Sequence, residues 1–177
     1  YYELSSRLIL TNCRNSAKIS RPETPAENPA AQVVSIKAYL AREGMGSAAD
    51  QIGEIRVSMI GGILSANMEH QVIDHCVNTG SMNGFVGLGG IVGFNAGGVF
   101  CCELADNFGN AQLDYIGGIA GLNIRAGNAS DVYTYTDISE KEWNYTSGTI
   151  AGCSTRAGRT VSGRSYVGGI AGFNLPG

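Results

Sequence analysis

Short apolar runs broken by glycine and asparagine govern this chain, and they recur. The pattern Gly-Gly-Ile-x-x-x-Asn occurs at Gly61–Asn67, Gly89–Asn95, Gly117–Asn123 and Gly168–Asn174. The first three copies start 28 residues apart, and the fourth starts 51 residues after the third. A fixed period of this size predicts stacked structural units, and the longer last interval predicts an insertion or a degenerate copy. Between the copies lies a second phrase, an apolar residue followed two positions later by x-Cys: Leu10–Cys13, Ile73–Cys76, Val99–Cys102 and Ile150–Cys153. Apolar segments of about five residues bounded by Gly, Asn and Ser have the length and punctuation of strands, not of helices. Each unit reads as three short strands joined by two or three corners.

Parallel stacking of equivalent strands, about 4.8 Å apart, turns every repeated residue into a column. Ile63, Ile91, Ile119 and Ile170 form one, and Cys13, Cys76, Cys102 and Cys153 a second, small and buried. Asn67, Asn95, Asn123 and Asn174 form a third at a corner, where Asn tolerates left-handed backbone and its amide can bond along the axis. The residue two after each Ile is small (Ser65, Gly93, Gly121, Gly172), which predicts a close backbone approach. The expected fold is all-β, a single parallel β-solenoid (β-helix-like) of about four coils spanning 1–177, with one short flanking α-helix in an insert.

Two stretches break the period. Residues 20–54 contain the Pro-rich segment Arg21–Pro29, then a pattern that predicts a helix over 30–42. Val33, Ile36 and Leu40 share its face, Asn28 and Pro29 suit its start, and Gly44 suits its end. This helix is expected along the flank of the solenoid or over an edge, with partner binding as the alternative. Residues 124–146 hold an alternating strand pattern at Asp131–Asp137, followed by Glu140–Tyr145 with the single Trp. Tyr133, Tyr135, Trp143 and Tyr145 either pack this insert onto the solenoid or form a surface for a sugar or a protein partner.

Composition narrows the classes. Glycine is abundant at 26 residues, as many tight corners require, and 44% hydrophobic content argues against disorder. A net charge of −3 without a Lys/Arg cluster gives no reason to expect a nucleic-acid partner. No apolar run approaches the roughly 20 residues of a membrane helix, so no membrane insertion is expected. Five cysteines cannot all pair within one chain. The opening Tyr1-Tyr2-Glu3 carries neither an initiator Met nor a signal-peptide pattern, as expected of a processed product or an excised fragment.

Candidate chemistry is sparse. His70, Asp74, His75 and Cys76 bring zinc to mind, but strand alternation would send Asp74 and His75 to opposite faces, and no second ligand cluster exists. The same alternation separates Cys76 from His75 as a nucleophile pair. Asp106, Asp114, Asp131 and Asp137 are candidates for acid/base work, though no motif fixes their spacing. Gly84–Gly90 lacks the Gly-Lys-Ser/Thr of a phosphate loop. Asn128-Ala129-Ser130 and Asn144-Tyr145-Thr146 are glycosylation sequons, meaningful only in a eukaryotic secretory setting. Thr134 and Thr136 make too short an array for an ice-binding face. Neither a catalytic residue, a metal nor a cofactor is expected.

The repeat resembles the GLUG repeat of bacterial surface and secreted proteins, also found in the repeat region of IgA-specific metallopeptidases. The best stretch is Ser147-Gly148-Thr149-Ile150-Ala151-Gly152-Cys153, then Ala157–Gly163, then Tyr166-Val167-Gly168-Gly169-Ile170-Ala171-Gly172-Phe173-Asn174; Val72–Asn123 follows closely. The resemblance covers most of the chain outside the two inserts. It implies a β-helix-like solenoid located extracellularly or at the cell surface. The peptidase's zinc helix, His-Glu-x-x-His, has no counterpart, since His70 and His75 are the only histidines. The implied function is a structural or adhesive extracellular segment. A carbohydrate- or protein-binding module and a polysaccharide-cleaving β-helix enzyme are the alternatives. Cys13–Ile19 reads as the latter part of a coil and Phe173–Gly177 as a coil cut short, so the ends look complementary. The expected partners are therefore the chain itself, stacked end to end, or flanking repeats of a longer rod, with a host glycan or protein also possible.

Overall fold

The computed structural model describes residues 8–20, 34–42, 44, 46–52, 54–83, 87–106, 108–109, 114–125 and 130–175. β1 (Ile9–Thr11), β2 (Arg14–Asn15) and β3 (Ile19–Ser20) open the first coil. An excursion follows through β4 (Val34–Ser35), α1 (Ile36–Arg42), α2 (Gly46–Gln51) and β5 (Arg56–Val57). β6 (Ile60–Gly61) and β7 (Leu64–Asn67) complete the coil. The second coil comprises β8 (Val72–Asp74), β9 (Val77–Asn78), β10 (Met82–Asn83), β11 (Leu88–Gly89) and β12 (Val92–Asn95). The third comprises β13 (Gly98–Phe100), β14 (Glu103–Leu104), β15 (Phe108–Gly109), β16 (Asp114–Gly117) and β17 (Ala120–Ile124). A hairpin of β18 (Tyr133–Thr136) and β19 (Glu142–Tyr145) then leaves the axis. The fourth coil comprises β20 (Thr149–Ala151), β21 (Ser154–Thr155), β22 (Val161–Ser162), β23 (Ser165–Gly168) and β24 (Ala171–Leu175).

Strands of like position pair in parallel, as β1-β8-β13-β20, β2-β9-β14-β21, β6-β11-β16-β23 and β7-β12-β17-β24, with shorter pairs β3-β10 and β15-β22. The chain is a parallel β-solenoid of four coils. Each coil carries five short strands where the sequence suggested three. The extra breaks come from backbone corners. Asn12, His75, Cys101 and Gly152 have positive φ at one corner of successive coils, and Met59, Gly87, Tyr115 and Tyr166 at another. A left-handed residue reverses the side-chain alternation of an extended run, so a single apolar phrase becomes two strands.

The three columns form. Asn67, Asn95, Asn123 and Asn174 pair in register, and each amide donates to the next side-chain oxygen at 2.8, 2.7 and 2.7 Å. The ladder is polar, with the Nδ2 of Asn67, Asn95 and Asn123 each pointing toward the fourth coil. Asn67 Oδ1 at its start is buried and has no hydrogen-bond partner among the described residues. Ile91 and Ile119 are fully buried, Ile63 is half-buried, and Ile170 in the last coil is 38% exposed. Cys76 and Cys102 are buried between half-buried Cys13 and Cys153. The Cys76 and Cys102 amides donate to the sulfurs of Cys102 and Cys153, each at 3.4 Å. Hydrogen bonding with the Cys153 and Cys76 sulfurs, then burial, pushes the Cys102 thiol up, while the same bonds draw Cys76 and Cys153 down. As side chains the four are small packing material of the interior. Gly93, Gly121 and Gly172 make the expected close backbone approach, whereas Ser65 in the first coil is exposed. A Cβ on Gly93 would lie 2.4 Å from the Met59 carbonyl carbon, where only hydrogen fits.

The first insert differs from its expected form. Residues 30–33, with Asn28 and Pro29, lie outside the described residues. The described helix begins at Ile36, because Val34 and Ser35 pair antiparallel with Val57 and Arg56 to close the base of the insert. Ser35 Oγ caps it by accepting from the Ala38 amide at 3.3 Å. Gly44 ends it with φ +81°, and the short α2 follows. Ile36, Leu40, Ala49 and Ile52 pack with Phe94 and Leu122, so the insert lies along the flank of β12 and β17. Among the described residues no helix is long and apolar enough to cross a membrane.

Candidate functional site

The second insert covers the β8–β13 face. Its hairpin pairs Tyr133 with Tyr145 and Tyr135 with Trp143. Phe100 on β13 is the anchor. Its ring is stacked with Tyr135 (5.8 Å between centroids), tilted against Trp143 (4.9 Å) and edge-on to Tyr145 (5.3 Å). Tyr135 and Tyr145 are buried, whereas Tyr133 and Trp143 are half-buried. The four aromatics therefore do not make a common exposed platform, because the hydrophobic gain of packing on Phe100 and Val72 draws them inward. The exposed edge of the hairpin is polar, with Thr134 Oγ1 donating to Asn144 Oδ1 at 3.1 Å, and Lys141 Nζ lies 3.4 Å from the Trp143 ring centroid.

Beneath this hairpin lies the chemically richest corner. Asp74, at the end of β8, is fully buried. Its Oδ2 accepts from the Tyr135 hydroxyl at 3.0 Å and its Oδ1 contacts His75 Nδ1 at 2.8 Å. Asp74 and His75 thus meet and do not point apart. Strand alternation fails here because His75 has φ +49°, outside the extended range. Cys101 occupies the equivalent corner of the next coil with φ +50°. Asp74, His75 and Cys101 each offer a ligand atom, all within 4.8 Å of one another. Burial, then the Asp74 carboxylate, pushes the Cys101 thiol up. Burial and the bond to Asp74 raise the Tyr135 hydroxyl well above its usual range.

Of the four residues that the sequence weighed for zinc and set aside, the structure brings the side chains of Asp74 and His75 together and leaves Cys76 and His70 elsewhere. Cys76 points into the buried column, bonding the Asp74 carbonyl at 3.3 Å. His70 is exposed, with its ring edge-on to Tyr133 at 4.4 Å. The missed signal was the adjacent Cys101-Cys102 pair: one cysteine fills the interior column, which leaves the other at the corner.

The carboxylate candidates are dispersed. Asp106 faces Arg159 at 3.6 Å. Asp114 accepts from Arg164 and Ser165, and Arg164 holds its carboxyl below the usual range. Asp137 accepts from Trp143 Nε1 at 2.9 Å and from the Ser139 and Lys141 amides, and so organises the hairpin turn. Asp131 precedes β18 on the same insert. Of the glycine string, 84–86 lie outside the described residues, as does Asn128, while Gly87 turns a coil corner with φ +86° and Leu88–Gly89 form β11.

No protein-family model, curated protein or solved structure matches this chain.

Proposed function

We propose that this chain is a structural repeat segment of a bacterial extracellular or surface protein, a short rigid rod that continues by stacking on further coils. The single observation that carries the reading is the chemistry of its terminal coil. There Tyr166, Val167 and Ile170 are 54%, 41% and 38% exposed. Among the described residues, strands β20 to β24 pair on one side only. Such apolar, hydrogen-bond-ready edges are what a following coil covers. At the other end Leu8 and Ile9 are also exposed, and the asparagine ladder begins on an acceptor unmatched among the described residues. The GLUG-like repeat supports the extracellular setting, and an adhesive role through the inserts belongs to the same reading.

A second copy of the chain supplies the simplest following coil. Mass photometry across a concentration series, with negative-stain microscopy, tests this. The expected result is linear species growing by roughly 19 Å per chain, at about 4.8 Å per coil. Ile170→Asp should suppress them. A strict monomer at high concentration contradicts self-stacking.

A further inference from the structure

We propose that Asp74, His75 and Cys101 form a binding site for one divalent transition-metal ion of the zinc class, clamped between the second and third coils beneath the aromatic hairpin. The three donors belong to two successive coils and already converge to within 4.8 Å without an ion. An ion needs each to move by only a fraction of that distance. The donor set, one carboxylate oxygen, one imidazole nitrogen and one thiolate, is that of a borderline-soft cation and not of calcium or magnesium. Two anionic donors neutralise a dication, which suits a site whose carboxylate is fully buried and whose imidazole is 31% exposed. That exposure leaves room for a water as fourth ligand.

The protons balance simply. The Cys101 thiol releases its proton to solvent. In the ion-free site His75 Nδ1–H donates to Asp74 Oδ1. On metal binding that proton leaves Nδ1 through solvent and the neutral ring keeps its single proton on Nε2, which frees the Nδ1 lone pair for the ion. Tyr135 is a positioning residue. Its hydroxyl holds Asp74 Oδ2 at 3.0 Å and leaves Oδ1 for the metal. Asp137 and Lys141 also face this corner from the hairpin. Asp137 is occupied by Trp143 Nε1, and Lys141 lies over the Trp143 ring.

The same three residues have the composition of a nucleophile, base and orienting acid. That reading is less favoured, because the carboxylate and burial work against a free thiolate at Cys101, whereas a dication stabilises one. Placing a metal here also couples the hairpin to the stack of coils.

The experiment uses the intact, reduced, metal-stripped chain. Zn²⁺ is titrated calorimetrically and against a chromophoric chelator, and Co²⁺ is followed by its absorption spectrum. The expected result is one equivalent bound, with a thiolate-to-cobalt charge-transfer band. Cys101→Ser should abolish the band, and His75→Gln should weaken Zn²⁺ binding by about 10–100-fold or more, with Tyr135→Phe nearer about 10-fold. Should Cys101→Ser fail to fold, protection of Cys101 from alkylation by Zn²⁺ in the unaltered chain gives the same answer. Absence of binding overturns the proposal, as does a band that survives Cys101→Ser. Rapid, His75-dependent alkylation of Cys101 with no ion bound also overturns it, in favour of a nucleophile.

Discussion

The side-chain amide of Asn95 donates to the side-chain oxygen of Asn123 across 2.7 Å, with both side chains buried. The two residues are 28 positions apart, one uninterrupted coil. The next bond, Asn123 to Asn174, spans 51 positions at the same length, so the hairpin insert leaves the stacking undisturbed. Amide ladders of this kind fix register, because a slip by one residue would bury four unmatched amides.

Replacing Asn95 by Ala is expected to destabilise the chain by about 2–3 kcal/mol. It strips the buried Asn123 oxygen and the Gly97 amide of their partners. Asn174→Ala, at the exposed end, should cost well under about 1 kcal/mol. Urea unfolding of both variants measures the difference.

Glycine spacing gives a sharper contrast. Gly93→Ala places a methyl 2.4 Å from the Met59 carbonyl carbon and 2.5 Å from the Ile60 nitrogen. The backbone of the neighbouring strand cannot yield, so the loss should be at the upper end of overpacking, about 3 kcal/mol or more. Gly169→Ala meets nothing within 4 Å and should be tolerated. Thermal unfolding of the pair decides.

Phe100→Ala removes the ring on which Tyr135, Trp143 and Tyr145 pack. The expected cost is about 3–5 kcal/mol if the hairpin stays attached, and less if it detaches. In either case Trp143, the sole tryptophan, should shift its emission to longer wavelength. Fluorescence together with limited proteolysis between β17 and β20 reads this out.

Acid should loosen the hairpin turn before the solenoid. The bond from Trp143 Nε1, then the Lys141 and Ser139 amides, hold Asp137 below its usual range. A carboxyl whose folded value is depressed contributes stability above its unfolded value, about 3.9. That contribution is lost as pH falls through the lower folded value. The Trp143 indole N–H resonance should therefore move only below about pH 4, and Asp137→Asn should remove this dependence.

The repeated residues made the solenoid legible. Gly-Gly-Ile-x-x-x-Asn carries the corner, the ladder and the close approach in one phrase, so register followed from spacing alone. The number of strands per coil did not. Left-handed corners at His75, Cys101 and Tyr115 use ordinary side chains where Gly or Asn would have announced a turn. The start of α1 was hidden by Val34 and Ser35, whose strand pairing with β5 depends on residues twenty-odd positions away. The Asp74–His75–Cys101 corner was missed for the same reason as the strand count. Neighbours were assigned to opposite faces by an alternation that a single positive φ cancels.

In-register parallel stacking is tested most directly by NMR on the isotope-labelled chain, through nuclear Overhauser contacts between asparagine side-chain amides. Asn67 should contact Asn95, Asn95 should contact Asn123, and Asn123 should contact Asn174, in that order and with no skipped pair. Missing contacts along this series, or cross-strand Hα–Hα contacts of antiparallel type between β12 and β17, would contradict the solenoid.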